Sequence, residues 1–283
     1  MGEENGIPPT LPGDLRKAIN RHGHAFQNAV IRRAEELSQA NRSSWLFDAA
    51  EVPVEVRGQS TRIDIVLHQN TWDQRGAKSF LVAECKRANP ALANWCFAQT
   101  RYLRRGLDRD TQPLVDHVKF DGITFSSETG SLSYNQVIYS LAYEVRSDQR
   151  GEGAPGRGAI EEACGQILRG ANGLVHLLRD APHLLYVNHP TPLIPVVFTT
   201  ANLWTTDEDV SLADLTSGEL SSDLALKPAD WVWYRYNMSP GLRHDLPQGG
   251  IEHELGRLAE RWFTRTVAIV SATGVDAFLT TYF

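Results

Sequence analysis

The sequence predicts an α/β fold in which a helix and three strands are followed by an insertion, a second helix and a further strand. Three observations lead to this order. Apolar residues recur at helical spacing over 24–40, extended segments follow within 45–87, and a long helical pattern at 159–180 precedes a β-branched run at 192–204. A helix that leads into a buried strand is typical of an α/β crossover, so we expect a mixed sheet.

The first element is an amphipathic helix at 24–40, which follows a polar, proline-rich arm at 1–23. Its apolar positions lie on one helical face: Phe26, Val30, Ala34 and Leu37. Because residues three and four apart share one side of a helix, we expect this face to be buried.

Three strands are predicted next, at 45–56, 61–68 and 79–87. Pro53 in the first indicates an edge or bulged strand, since proline cannot donate a ladder hydrogen bond. The third is apolar on both faces until Glu84, as expected for a central strand. The second alternates, with Ile63, Ile65 and Leu67 on one face and Arg62, Asp64 and Val66 on the other.

The rest of the chain predicts a β-rich insertion and a C-terminal extension around the second helix and its strand. The further predicted elements are a helix at 90–107, insertion strands within about 110–150, a linker at 151–158, an aromatic strand at 230–237, a helix around 251–262, a strand at 264–271 and a short terminal helix. We expect a single domain over 24–283, with the C-terminal extension beginning at about 207.

Composition excludes several classes of protein. The 283 residues are 42% hydrophobic and 22% charged, unlike a collagen, a coiled coil or a disordered chain. The sequence contains no run of about 18 apolar residues, so it predicts no membrane span. The N-terminal arm lacks the apolar segment of a signal peptide. Three cysteines without a CxxC pair indicate no disulfide framework, so we expect a cytoplasmic location.

The net charge of −6 argues against a surface that is basic throughout, as a protein coated with nucleic acid would need. The segment 86–109 is nevertheless strongly basic. Its candidate contacts to nucleic-acid phosphates are Arg87, Arg101, Arg104 and Arg105. Trp95 and Tyr102 lie in the same segment and are candidates for stacking on bases.

An aspartate, Asp64, stands in the second predicted strand, and a Glu-x-Lys pair, Glu84 and Lys86, stands in the third. Because strand side chains alternate, Glu84 and Lys86 point to one face and Cys85 to the other. If the strands pair so that Asp64 lies beside Glu84, two carboxylates and an ammonium converge. Adjacent carboxylates repel each other and favour a divalent cation, and oxygen ligands with room for water suit Mg²⁺ or Mn²⁺.

This combination resembles the PD-(D/E)xK nuclease superfamily, which has the restriction-endonuclease-like fold. The resemblance is carried by the residues ID at 63–64 and ECK at 84–86, and by the element order over about 24–88 and 159–204. The fold that it implies is an αβββαβ core with a mixed sheet, here enlarged by the β-rich insertion and the C-terminal extension.

The resemblance implies Mg²⁺-dependent hydrolysis of phosphodiester bonds. Asp64 and Glu84 would be metal ligands and Lys86 the catalytic lysine. Ile63 replaces the proline that commonly precedes the aspartate, a change that many members tolerate.

The resemblance leaves a further ligand open, because the first helix has no unambiguous glutamate at the position where many members supply one. The candidates, in order, are Glu51 on the first strand, then Glu36, Gln27 and Glu35. Gln166, in the second helix, resembles the polar residue that some members direct at the site. Gly170 stands where the exonuclease motif QxxxY has its tyrosine.

The expected function is a metal-dependent deoxyribonuclease that acts on DNA. A role as a bacterial defence or restriction effector is compatible with a short nuclease without an evident recognition domain. We expect the chain to bind a protein partner or a second copy of itself. The alternative is a catalytically silent nuclease-like scaffold that binds nucleic acid or a protein.

Overall fold

The structure is a computed structural model that describes residues 23–56, 58–70, 76–100, 112–134, 136–145, 158–220, 224–238 and 263–281, and residues 13, 15, 16 and 19 of the N-terminal arm. The described helices are α1 (His24–Gln39), α2 (Gly158–Asp180) and α3 (Val275–Leu279). The described strands are β1 (Trp45–Val56), β2 (Gln59–Asn70), β3 (Ala77–Lys86), β4 (Asn94–Gln99), β5 (Leu114–Phe120), β6 (Phe125–Ser131), β7 (Ile138–Tyr139), β8 (Leu141–Val145), β9 (Thr191–Thr199), β10 (Asn202–Asp209), β11 (Lys227–Ala229), β12 (Trp231–Asn237) and β13 (Thr264–Ser271). They form a mixed α/β fold with a large mixed sheet, which confirms the predicted fold class at this level.

The main sheet begins with the predicted meander. β1, β2 and β3 pair antiparallel in chain order, and β3 then pairs in parallel with β9. β9 also pairs in parallel with β13. β13 pairs antiparallel with β12, and β12 pairs in parallel with the short β7. β5 pairs antiparallel with the first residues of β9 and also with β6. The chain order α1, β1, β2, β3, α2, β9 therefore places the parallel strands β3 and β9 side by side.

The first helix and the first strand follow their sequence patterns. α1 buries Gln27, Val30, Ala34 and Leu37, and the predicted Phe26 is half-buried. β1 is the edge strand of the main sheet, as its proline indicates, and its ladder is irregular between Phe47 and Ala49. A bulge and a proline at an edge both reduce the chance of pairing with another chain.

A second sheet, in the order β11, β10, β4, β8, packs against one face of the main sheet. α2 lies on the same face, where its residue Ile167 shares a hydrophobic cluster with Val82 of β3 and Trp95 of β4. α1 and α3 pack on the opposite face, where Leu37 shares a cluster with Leu81 of β3. The main sheet is therefore the middle layer, which explains why its central strands are apolar on both faces.

The predicted helix at 90–107 is wrong. Pro90–Leu92 form one 3₁₀ turn, and Asn94–Gln99 form β4. Trp95 and Phe97 are fully buried and alternate with more exposed neighbours, so a period of two and not the helical period governs this segment. Because Trp95 is buried, it is excluded as a base-stacking residue. The end of the predicted helix lies outside the described residues.

The β-branched run at 192–204, predicted as one strand, forms two. β9 ends at Thr199 and β10 begins at Asn202, where the chain leaves the main sheet for the second sheet. The Ala201 amide donates a hydrogen bond of 3.1 Å to the Thr199 hydroxyl at this bend. The run is apolar because it is buried in both sheets. Two consecutive buried strands and one long buried strand have the same sequence pattern, so the pattern did not indicate the bend.

The C-terminal part of the chain contributes to the middle of the main sheet. All residues of β13 are buried, and this strand lies between β9 and β12. The aromatic strand β12 is also largely buried, with Trp233 at 0% and Tyr234 at 4% exposure. The predicted helix around 251–262 and, apart from Gly158, the linker at 151–158 lie outside the described residues. None of the described helices is long and apolar enough to cross a membrane.

The close approach of α2 to the meander predicts an unusual effect of a glycine substitution. A Cβ atom at Gly173 would lie 2.5 Å from Cβ of Val54, whereas one at Gly165 would meet only the Tyr236 hydroxyl at 3.4 Å. Alanine normally stabilises a helix by about 1 kcal/mol relative to glycine. We expect Gly173→Ala instead to lower the free energy of unfolding by ~1–3 kcal/mol through overpacking.

Urea denaturation followed by circular dichroism measures this effect. The control is Gly165→Ala in the same helix, which we expect to be neutral or stabilising. Equal effects of both substitutions would show that the approach of α2 to β1 does not require glycine.

Candidate functional site

A cleft of about 260 Å³ opens where the start of α1 meets β1, β2 and the end of β3. Its lining residues are Gly23, His24, Gln27, Glu51, Thr61, Arg62, Asp64, Glu84, Cys85 and Gln166. The cleft therefore brings together predicted site residues from two helices and three strands. Lys86 lies next to the cleft, where its ammonium forms an ion pair with Glu84.

The register of the meander places Asp64 beside the end of β3. Ile65 pairs with Ala83 across the β2–β3 ladder, so Asp64 is the next residue toward Glu84. Oδ2 of Asp64 accepts a hydrogen bond of 2.7 Å from the Cys85 amide. The backbone of β3 therefore orients the Asp64 carboxylate at the cleft.

Burial dominates the electrostatics of the two carboxyl groups. Glu84 is 8% exposed, and its desolvation, with the neighbouring charge of Asp64, raises its pKa to about 7 although Lys86 opposes the shift. Desolvation likewise raises the pKa of Asp64, although the Cys85 amide favours its charged form. The cleft thus holds carboxyl groups whose negative charge is incompletely compensated by the protein.

The strand alternation predicted for the second strand breaks at Asp64. Ile65 and Leu67 lie in the hydrophobic cluster on the α1 side, but Ile63 lies with Val66 in the cluster on the α2 side. The prediction that Ile63 shares a face with Ile65 is therefore wrong. At this position the partners of the β1–β2 ladder pass from Ala50–Ile65 to Val52–Ile63 without pairing Glu51 and Asp64, an irregularity that a strict period of two cannot represent.

The irregularity coincides with Glu51 on β1. Glu51 has a φ of 53°, in the left-handed region that is uncommon for residues other than glycine. Nε2 of Gln27 donates a hydrogen bond of 2.8 Å to Glu51 Oε1 and another of 2.8 Å to the Asp64 carbonyl oxygen. The buried amide of Gln27 thus connects α1 to both strands and supports a backbone conformation that is often found at functional sites.

The outer wall of the cleft carries a guanidinium and an imidazole. Arg62 Nη1 lies 3.6 Å from Glu51 Oε2, and the Arg62 side chain is 72% exposed. His24 Nδ1 lies 4.0 Å from Glu51 Oε1. Sequence reasoning rejected His24 as a zinc ligand, because it and His22 are two residues apart and do not share a helical face. It considered Arg62 only as a surface ion-pair partner of Asp64.

Lys86 lies between carboxylates of two elements. Its Nζ is 3.4 Å from Glu84 Oε1 and 3.3 Å from Glu162 Oε1 of α2. Gln166 Nε2 donates a hydrogen bond of 3.1 Å to the same Glu162 oxygen. Glu162 was missed in the sequence, although its i, i+4 spacing from Gln166 indicates that both lie on one helical face.

The remaining predicted residues lie away from the cleft or outside the described residues. Glu36 lies near the far end of α1 and forms ion pairs with Arg32 and Arg33. Glu35 is exposed on the same helix, and Arg87 is exposed directly after Lys86. Arg101, Arg104, Arg105 and Tyr102 belong to residues that the structure does not describe.

The donor chemistry of the cleft fits a hard divalent cation. Glu84 is a buried carboxyl group and Asp64 a half-buried one, and desolvation raises the pKa of both. Mg²⁺ is typically held by one or two carboxylates together with water and phosphate oxygens. Among the described residues, no three His, Cys, Asp or Glu side chains are close enough to hold a metal ion by themselves. Within this part of the chain, Glu51 is not grouped with Asp64 and Glu84 as a third ligand.

Comparisons of the chain with protein-family models, curated proteins and solved structures found no match.

The raised pKa of Glu84 predicts how stability depends on pH in the metal-free protein. Because the pKa is about 7 in the folded state and about 4.5 ordinarily, folding favours the protonated form. The stability that this protonation contributes is fully present below pH 4.5 and is lost as the pH rises through 7. We expect the free energy of unfolding of Glu84→Gln to be up to ~3 kcal/mol higher than that of the wild type at pH 8, and nearly equal to it at pH 4.5.

Denaturant unfolding in EDTA across this pH range tests the prediction. Glu55→Gln is the control, because Glu55 is exposed on β1 and lies outside the cleft. A pH-independent difference between Glu84→Gln and the wild type would contradict a buried, titrating Glu84.

Proposed function

We propose that the chain is a Mg²⁺-dependent nuclease with a restriction-endonuclease-like core. The observation that carries the proposal is the meeting of two desolvated carboxyl groups, Asp64 and Glu84, with the ammonium of Lys86 at the end of adjacent strands. Charges in such a position are unfavourable for folding, and perturbed carboxyl groups in a cleft are typical of catalytic sites. The order α1, β1, β2, β3, α2, β9, with β3 and β9 parallel, also supports this core.

In this proposal, Asp64 and Glu84 hold the cation. A divalent cation bound there would lower the pKa of an attacking water and stabilise the negative charge of the phosphate. Lys86 is close enough to Glu84 to donate a hydrogen bond to a phosphate oxygen or to orient the water. Gln27 holds Asp64 and Glu51 in place through its amide nitrogen. Its own role is to position these groups and not to bind the metal.

The proposed substrate is DNA. Arg62 and His24 at the rim of the cleft can contact backbone phosphates, and Arg87 lies directly beyond Lys86. The proposed location is the cytoplasm, since Cys85, Cys96 and Cys164 are free thiols, as in a reducing compartment. A bacterial defence or restriction role, with a homodimer or a protein partner, remains part of the proposal.

One observation favours a second function, a catalytically silent scaffold that binds nucleic acid or a protein. Within the described part of the chain, the cleft has no complete set of three metal ligands, and Glu51 is engaged by Gln27 and Arg62. A scaffold of this kind would still bind nucleic acid after the loss of Lys86.

A cleavage assay distinguishes the two functions. We expect the purified chain to cut plasmid or linear DNA with Mg²⁺ or Mn²⁺ and not with EDTA. Asp64→Asn and Lys86→Ala should each reduce the rate by a factor on the order of 10²–10⁴, because they remove a metal ligand and the catalytic ammonium. The products are resolved on a gel, with single-stranded DNA and RNA as further substrates.

The matched controls are Glu55→Gln and Lys119→Ala, which change the same charges at exposed positions outside the cleft. Both controls should cut at the wild-type rate. Binding without cleavage by the wild type in every metal, and binding that survives in Lys86→Ala, would favour the scaffold.

A further inference from the structure

Two carboxylates share the ammonium of Lys86, and their environments differ. The Glu84 side chain is 11% exposed, while that of Glu162 is 61% exposed, at nearly equal distances of 3.4 Å and 3.3 Å from Lys86 Nζ. An exposed ion pair contributes little to stability because water competes for both partners. The pair with Glu162 is therefore the one that another anion can replace.

Gln166 orients Glu162 from the next turn of α2. Its Nε2 donates to the Glu162 oxygen that also meets Lys86. Oε1 of Gln166 is buried and has no hydrogen-bond partner among the described residues. The amide is thus oriented by its bond to Glu162. Gln166 lines the cleft, and its nitrogen becomes available once Glu162 moves away.

We propose that Glu162 occupies, in the substrate-free protein, the position beside Lys86 that a backbone phosphate of a nucleic acid takes on binding. A phosphodiester and a carboxylate both present anionic oxygens to an ammonium, so one can replace the other. Displacement leaves the buried Glu84 with Lys86 and exposes the Gln166 nitrogen to the phosphate. The inference rests on the proposed function, because it takes the cleft to be the site of the nucleic acid.

Glu162 opposes binding in a second way. Its negative charge lies next to the carboxyl groups of the cleft, and a like charge repels an approaching polyanion. Glu162 is therefore a residue that limits affinity, and it does not take part in bond breaking. Its removal should strengthen binding, whereas removal of a residue that positions Lys86 should weaken binding.

Fluorescence anisotropy in EDTA measures binding of a short labelled duplex DNA without cleavage. We expect Glu162→Gln to bind tighter than the wild type by a factor on the order of threefold to tenfold. The matched control is Glu161→Gln, which makes the same charge change one residue away, where the carboxylate accepts a hydrogen bond from Tyr234 at 3.3 Å. The control should change the affinity by less than about twofold.

A double variant tests whether the gain depends on Lys86. Lys86→Ala/Glu162→Gln should bind DNA less than about twofold tighter than Lys86→Ala, because only the repulsion by Glu162 is removed and no ammonium remains to be freed. With Mg²⁺, Glu162→Gln should lower KM by the factor seen in binding.

Three results would overturn the inference: equal tightening by Glu161→Gln, weaker binding by Glu162→Gln, or no DNA binding by any variant. Failure of the proposed nuclease activity gives a different pattern. In that case no variant cleaves DNA, while the Lys86-dependent gain in binding persists. Cleavage by the wild type without that gain would instead leave the nuclease proposal standing and remove this inference.

Discussion

The cleft depends on the burial of the Glu84 carboxyl beside Asp64 at the end of a central strand. β3 is covered on both faces, so the side chain at its end leaves bulk water while it still reaches the opening. Desolvation raises the pKa of both groups. Lys86 and the Cys85 amide compensate only part of the charge, and a divalent cation would compensate the rest.

The helices on the two faces of the sheet supply the surrounding polar groups. α1 packs its apolar face on one side and directs the buried Gln27 amide to Asp64 and Glu51. α2 packs on the other side and directs Glu162 and Gln166 to the end of β3. The packing that stabilises the three layers therefore also fixes the geometry of the cleft. Substitutions that shift either helix are expected to disturb both.

Sequence patterns were informative where one local period governs an element. The helical spacing of Val30, Ala34 and Leu37 correctly predicted α1, and the meander followed from three apolar, alternating segments. The pattern failed at 90–107, where a period of two in β4 was interpreted as helical. Strand propensity depends on packing context, and here the packing of Trp95 against the main sheet and α2 selects the strand. The sequence likewise did not indicate that β13 lies between β9 and β12, because strand neighbours far apart in the chain leave no local signal.

For the site, the sequence alone determined the residue types and their strand positions. Alternation put Glu84 and Lys86 on one face, and the preceding strand put Asp64 within reach. Only the tertiary structure decided that Gln27 acts through its nitrogen, that Glu36 lies at the far end of α1, and that Glu162 shares Lys86. The physical reason is that hydrogen bonds and ion pairs between elements depend on distances of a few ångströms. Those distances are set by how helices pack on a sheet and not by spacing along the chain.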